Sequence, residues 1–376
     1  MGASYWLEGH ERPLPRNRLA GDPDVAVVGG GVTGCACARA LAQGGLRVRL
    51  YEARDIASGA SGRNGGFALR GGAMPYDRAR RTLGAARAKA LWRLSEEALD
   101  RLGELAGDAL RRTGSLRLAA DVEEQADLRA EAAALAADGF EVEVLDELDE
   151  PLRGRFHGGL VHPRDGSLHP VRWVGGLALL AVEAGVELCE HRRVETLAEL
   201  RAEHVVIATD GYTRGLVPEL DAAVRPTRGQ VLVTEPLPRR LFERPHYARR
   251  GFDYWQQLPD GRLVIGGQRD ASFDAEWTAE ESTTSLVQDR IEGLVRLLVG
   301  TVPRITHRWA GIFGSTADLL PLAGLLPGRP GVWAACGYSG HGNVLGLACG
   351  ELVAGAILGR PDPLLELFDP GRLSDD

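Results

Sequence analysis

Lysine is almost missing from this chain of 376 residues: Lys89 is the only one, so nearly every cation is an arginine. This bias is expected of genomic base composition, and it removes lysine as a catalytic option almost everywhere. Cysteine is scarce too, and the five present (Cys35, Cys37, Cys189, Cys336 and Cys349) are odd in number and lie in apolar contexts. That pattern suits reduced thiols of a cytoplasmic protein better than a disulfide framework. Cys35 and Cys37, two apart on an expected helix, point away from each other and read as packing residues. No apolar run approaches the roughly 18 residues of a membrane span, and the polar first 22 residues have no signal-peptide core, so neither insertion nor export is expected. The net charge of −8 comes without clustered cations, which argues against nucleic-acid partners. Metal-ligand patterns are also lacking. His157, His162 and His169 have no helical spacing, and the acidic run Asp146-Glu147-Leu148-Asp149-Glu150 has no His or Cys beside it, so it reads as a solvated loop. With 44% hydrophobic and 26% charged residues, the chain has the composition of a soluble two-domain protein.

What the sequence does have is a phosphate cradle. The apolar run Val25–Val28 suits a parallel strand buried on both faces, and Gly29, Gly31 and Gly34 follow in GxGxxG spacing. Gly29 permits the tight turn, Gly31 admits a pyrophosphate where a Cβ would stand, and Gly34 lets the next helix lie against the sheet. A helix of small residues (Cys35, Ala36, Cys37, Ala38, Ala40) stops at Gly44-Gly45. A second strand then ends at Glu52, placed to accept hydrogen bonds from ribose hydroxyls and to disfavour a 2′-phosphate. The motif alone does not separate NAD from FAD.

Farther along, residues 82–106, 123–137, 171–184 and 291–298 carry helical spacing. Residues 186–194, 204–208, 230–234 and 263–267 read as strands, with a turn at Pro259-Asp260-Gly261 that points to an antiparallel sheet. A last strand, 331–337, enters Tyr338-Ser339-Gly340-His341-Gly342-Asn343 and a helix over 344–358. Ser339 invites a nucleophile-elbow reading. His341 stands where that elbow needs its second glycine, so the glycines serve the approach of a helix N-terminus to a ring or anion instead.

Taken together, residues 25–52, the loop Ser58-Gly59-Ala60-Ser61-Gly62-Arg63-Asn64-Gly65-Gly66, the Ala208-Thr209 strand end, Arg228-Gly229-Gln230 and Gly337-Tyr338-Ser339-Gly340-His341-Gly342 resemble the FAD-dependent amine and amino-acid oxidoreductases, which include sarcosine, glycine and gamma-glutamylputrescine oxidases. Ser4-Tyr5-Trp6, the Ser61 to Gly66 loop and Gly166-Ser167-Leu168-His169-Pro170 resemble the gamma-glutamylputrescine branch in particular. The resemblance implies an FAD-binding Rossmann-like domain of α/β class with a second α+β substrate domain containing an antiparallel sheet. The expected boundaries are 1–84, 155–223 and 300–376 for the discontinuous FAD-binding domain, and 85–154 with 224–299 for the substrate domain. It implies cofactor contacts from Gly29, Gly31, Val32, Thr33, Gly34, Glu52, Ala53, Ser61, Gly62, Arg63, Asn64, Gly65, Gly66, Val194, Ala208, Thr209, Gly337, Gly340, His341, Gly342 and Asn343. The long glycine loop independently suits a cofactor extending past its adenosine half, and no second GxGxxG follows a strand, so no separate NAD domain is expected.

Departures from the relatives shape the rest. The cysteine of covalent flavin attachment falls near Gly311, so noncovalent FAD is expected. A carboxylate-holding lysine falls at Val344, the lysine implicated in oxygen reduction at Arg269, a substrate-facing tyrosine at Phe313 and an arginine at Gln256. The expected catalytic residues are His341, Arg269 and Tyr254, and the expected substrate contacts are Arg70, Trp255, Gln256 and Phe313. The expected reaction is oxidation of the C–N bond of a small-molecule amine or amino acid by hydride transfer to flavin N5, with O2 as acceptor. The alternatives are a dehydrogenase passing electrons to a carrier or quinone, and a non-catalytic flavin subunit. A pocket with one cation favours a secondary or N-substituted amine with an apolar or extended body, any carboxylate being met by Arg70 alone.

Overall fold

The computed structural model describes residues 2–9, 14–15 and 17–373; the expected domain ends at Met1 and Asp376 lie outside them. Val25–Val28 forms a strand buried on both faces, followed by the helix Val32–Gln43 and the strand Val48–Tyr51, which pairs parallel to the first with Val25 opposite Val48. From edge to edge the six-stranded sheet runs Leu322–Leu325, Val332–Cys336, His204–Ile207, Val25–Val28, Val48–Tyr51 and Glu187–Cys189. Only the Leu322–Leu325 edge pairs antiparallel. The helices Val32–Gln43, Pro170–Glu183 and Gly342–Ile357 bury their small and aliphatic residues in one core with Val25, Val27, Val48 and Leu50. Small residues make this possible: a Cβ on Gly350 of the last helix would stand 2.6 Å from the Thr33 carbonyl of the first.

The second sheet has eight strands, in the order Ile305–Ser315, Arg225–Pro236, Arg262–Gly267, Asp253–Gln257, His246–Ala248, Ser115–Leu118, Gly159–His162 and Glu143–Leu145. All its pairs are antiparallel except His246–Ala248 with Ser115–Leu118. The apolar stripe of the helix Ser285–Val299 covers one face, meeting Leu232, Trp255, Leu263 and Ile265. Val231, Val233, Val264 and Trp309 join the core shared with the nucleotide-binding half. Phe67–Ala68, Gly166–Leu168 and Leu110–Arg111 form a small third sheet.

Two expectations are corrected here. Gly159–His162 and Ile305–Ser315, assigned from the sequence to the FAD-binding part, are strands of the eight-stranded sheet; Ile305–Ser315 pairs with Arg225–Pro236 over nearly its whole length. The expected strand over 186–194 shortens to Glu187–Cys189, because the backbone turns at His191 (φ 56°) to let the Arg192 amide donate to the Glu52 carbonyl.

Candidate functional site

The cradle is built by backbone and small side chains. A Cβ on Gly34 would lie 1.8 Å from the Gly29 carbonyl oxygen, so only glycine lets the first helix start this close to its strand. Gly31 is the helix N-cap, and the Ser61 hydroxyl, brought in by the glycine loop, accepts from the Val32 amide. Glu52 is fixed at its strand end by the Gly30 and Arg54 amides, both at 2.8 Å, with Ala53 between. Ala208 closes the turn from the neighbouring strand, its amide donating to the Val28 carbonyl, and Thr209 begins the next bend. Val194 packs at the fringe of the core behind Tyr51. A helix N-terminus without a side-chain cap, glycines where a Cβ would intrude and a carboxylate at the second strand end are the donor set a dinucleotide needs. The residues present fit FAD.

The glycine loop carries this cradle toward the second sheet. The Asn64 and Asn343 side-chain amides exchange hydrogen bonds (3.3 and 3.2 Å), and Asn343 also donates to the Phe67 carbonyl. The Gly62 carbonyl accepts from Ser4, and the Asn64 carbonyl from the Trp6 indole, which explains the use of the Ser4-Tyr5-Trp6 segment. The Arg63 guanidinium donates to the Ser58 and Ala310 carbonyls. From the other side, Thr33 donates to the Tyr338 hydroxyl at 2.9 Å, joining the first helix to the loop before the last one. Gly337 and Gly340 have positive φ there, and His341 is the N-cap of Gly342–Ile357. Burial, with Arg117 and Arg269 nearby, lowers the His341 imidazole to about 4 although a backbone hydrogen bond to Ser339 works the other way. His341 is therefore neutral at neutral pH, and its buried Nδ1 has no hydrogen-bond partner among the described residues.

Asp210 was missed by the sequence reading. This buried carboxylate at φ 47° accepts the Gly314 and Gly337 amides, each at 2.8 Å, and so ties the end of one sheet to the loop entering the last helix. Burial raises its pKa, against the pull of those amides.

The face of the eight-stranded sheet opposite Ser285–Val299 forms the second wall. Strand alternation places Tyr254 there, with Gly65 and Gly266 making room: a Cβ on either would fall 3.1 or 2.6 Å from the tyrosine. Burial pushes the Tyr254 hydroxyl up to about 12 although Arg269 lowers it, so it stays protonated. Phe313 lies beside Gly229 and reaches toward Gly340. The Arg269 guanidinium stands 4.5 Å from the Phe252 ring centroid and 5.8 Å from that of Phe313. It is half-buried and makes no hydrogen bond or ion pair with any described residue; neighbouring Asp270 is held by Arg249 instead. Tyr247 was also missed. It sits opposite Tyr254 in register and packs edge-on against Phe67 at 5.1 Å, and its hydroxyl has no hydrogen-bond partner among the described residues.

Three expected substrate contacts are corrected. Arg70 has a fully buried side chain that donates to Glu96 (2.7 Å), Asp165 (3.3 Å) and the Glu141 carbonyl, so it is committed to interior partners and closed off from a substrate. Trp255, next to Tyr254, points to the opposite face, where His246 stacks on it at 5.2 Å and 4° within the core under Ser285–Val299. Gln256 shares the face of Tyr254 but spends its amide on the Gly65 and Gly66 carbonyls at 2.6 and 2.8 Å, positioning the glycine loop. Gly311 leaves no room for an attachment cysteine, since a Cβ there would stand 2.8 Å from that of Arg63. No group of three or more His, Cys, Asp or Glu capable of holding a metal occurs among the described residues, and no helix among them is long and apolar enough to cross a membrane.

Comparison with known proteins gives the same picture. The profile of the family described as FAD dependent oxidoreductase matches residues 24–356. A probable oxidoreductase OrdL of Rhizobium meliloti (strain 1021) is 30% identical over 96% of this chain and 89% of its own. The gamma-glutamylputrescine oxidoreductase of Escherichia coli (strain K12) is 28% identical, over 89% of this chain and 84% of its own. The crystal structure of glycine oxidase from Geobacillus kaustophilus superimposes with a TM-score of 0.75 at 25% identity, covering 94% of this chain and 98% of that one. The cradle, the glycine loop and the aromatic wall are thus held in a fold that its relatives use for the oxidation of amines and amino acids, and the chain belongs to the FAD-dependent oxidoreductase (DAO) family.

Proposed function

We propose that this protein oxidises the C–N bond of an amine that also carries a carboxylate, an N-substituted amino acid with an apolar or extended body, using noncovalent FAD and passing the electrons to O2 with H2O2 as product. The observation that carries this reading is Arg269. A half-buried guanidinium stacked between Phe252 and Phe313, with no hydrogen bond or ion pair to a described residue and with neighbouring Asp270 already held by Arg249, is left to take an anion from outside, because a poorly compensated charge away from water is costly. A substrate carboxylate answers that need, and the free Tyr247 hydroxyl is a further donor on the same wall. Tyr254 and Phe313 bound the body of the substrate with aromatic surface, and Gly229 between them keeps the wall flat.

The chemistry FAD supplies when bound is acceptance, at its N5, of hydride from the carbon beside the substrate nitrogen; water then hydrolyses the imine that remains. The protein's own residues position and polarise. Gln256, Asn64 and Asn343 fix the loop that places the ring system, and the uncapped N-terminus of Gly342–Ile357 offers positive potential to negative charge that develops nearby. His341, neutral at neutral pH, lines this end without adding a charge. After product leaves, the fixed charge of Arg269 is available to negative charge developing on dioxygen. Gly311 and the buried thiols support noncovalent binding: burial pushes Cys37 and Cys349 up to about 12, so neither is a ready nucleophile.

The test is anaerobic bleaching of the flavin by a panel of amines with and without a carboxylate. N-substituted amino acids with an apolar or extended body should bleach it fast, and sarcosine and glycine, which lack that body, slowly. If amines without a carboxylate bleach it equally well, the substrate half of the reading fails. If the reduced protein is reoxidised by a quinone and not by O2, the acceptor half fails.

A further inference from the structure

One buried carboxylate outside the catalytic wall touches three separate pieces of the nucleotide-binding half. Glu281 lies in residues 277–284, between the bend Arg269–Glu276 and the helix Ser285–Val299. It accepts from Arg54 at 2.9 Å and from the Tyr212 hydroxyl, and it lies 3.5 Å from Arg63. Arg54 stands two residues past Glu52, Arg63 is in the glycine loop, and Tyr212 follows the Thr209 strand end. The Tyr212 ring lies 3.2 Å from where a Cβ on Gly59 would be, so the cluster sits directly over the start of the glycine loop.

Both ends of this segment are pinned to the second sheet. Arg228 grips Glu276 through two nitrogens (2.8 and 2.9 Å) and donates to Ser282, and the Gln230 side chain binds Glu276 at one end and the Thr284 amide at the other. The segment is therefore anchored at its ends, with a single carboxylate at its middle reaching across. Burial alone would raise the pKa of Glu281, but hydrogen bonds from Arg54 and Tyr212 and the charge of Arg63 outweigh it and hold the group below the usual glutamate range. Two guanidiniums share one carboxylate here, beside the loop that caps the cradle of an anionic diphosphate.

We propose that residues 277–284 form a strap whose Glu281 latch holds the glycine loop closed over the FAD diphosphate, so that loading and release of the cofactor both wait on its opening. The inference rests on FAD binding at the glycine cradle and not on the identity of the substrate. An ion pair removed from water contributes little net stability but selects one arrangement, which is what a latch requires.

The experiment measures FAD uptake by apoprotein and FAD release from holoprotein by flavin fluorescence, for the wild type and Glu281→Gln. Loss of one charge-assisted contact at the barrier is expected to speed uptake and release alike by roughly tenfold, with the dissociation constant changing by much less than either rate. A mere binding contact would speed release alone and weaken equilibrium binding in proportion; that result, or rates within about twofold of the wild type, overturns the proposal. If Glu281→Gln does not fold, Tyr212→Phe removes one hydroxyl from the same carboxylate and should move both rates in the same direction by roughly threefold. A wild-type protein that takes up no FAD would instead overturn the cofactor assignment on which the strap rests.

Discussion

The two halves of this molecule use opposite means to build their parts of one site. In the nucleotide-binding half the work is done by backbone and by the absence of side chains: Gly31, Gly34 and the Val32 amide would serve almost any residues around them. In the substrate half the work is done by which way a side chain points, and one step along a strand exchanges the wall residue Tyr254 for the core residue Trp255. The first kind of site is rigid and general. The second is specific, and it is read only when strand register is known.

The largest effect should come from breaking the backbone-built half. Gly34→Val places a side chain where the Gly29 carbonyl already stands, and the purified protein should contain no flavin, as measured by its absorbance near 450 nm. In the orientation-built half, Arg269→Met should lower kcat/KM for carboxylated substrates by roughly 10²-fold, the scale of a charged hydrogen bond lost from a desolvated site, and leave the corresponding amides little changed. Equal losses on both would show that Arg269 does not meet the carboxylate. Arg70→Met sharpens the contrast, because it leaves Asp165 in the interior without its cation, while Glu96 keeps Arg164: stability to urea should fall by about 3 kcal/mol, and KM in the folded fraction should stay put.

The pH dependence separates the halves in another way. With His341 lowered to about 4, the rate of flavin reduction between pH 6 and 9 should follow the substrate amine, rising as its lone pair is freed, and His341→Asn should leave the shape of that profile unchanged. A profile that shifts in the variant would place the titration on the protein. The smallest effect belongs to Asp253, which burial pushes up to about 6 against the opposing pull of Arg249 and Gln268. A carboxyl raised above its unfolded value favours folding fully below the unfolded pKa, and that contribution is lost as pH rises through about 6. Asp253→Asn should therefore be more favourable to stability at pH 8 than at pH 4, measured as the shift in denaturation midpoint.

The same contrast explains what could be read from the chain. The cradle was legible because its strand, glycines, helix and Glu52 are local in sequence and each has one physical task. The glycine loop and the Gly337 to Gly342 turn were legible as motifs, and their meeting through Asn64 and Asn343 needed the fold. Arg70 misled because its partners Glu96 and Asp165 lie 26 and 95 residues away, and Trp255 because only strand register shows that it shares the core face with His246. Tyr247 gave only a three-residue strand as a signal, and its place opposite Tyr254 is a fact of pairing. Asp210 stood in the open within Thr209-Asp210-Gly211, but nothing local says that its carboxylate will collect the Gly314 and Gly337 amides. The domain boundaries slipped for the same reason, since Ile305–Ser315 declares its sheet only through its partner strand.

The hydrogen bonds from Thr33 to Tyr338 and between Asn64 and Asn343 also have a bearing on synthesis. The first residues of the cradle to leave a ribosome are completed by some of the last, across sequence separations of 305 and 279 residues. The face of the first helix that carries Thr33, Ala36 and Cys37 stays uncovered until Gly346 and Gly350 of Gly342–Ile357 arrive to pack on it. Nascent chains stalled before residue 342 should stay colourless and open to protease at the first helix, and FAD should be taken up only after the last helix has emerged. In this protein the signature at the beginning of the message is spoken early and becomes a binding site late.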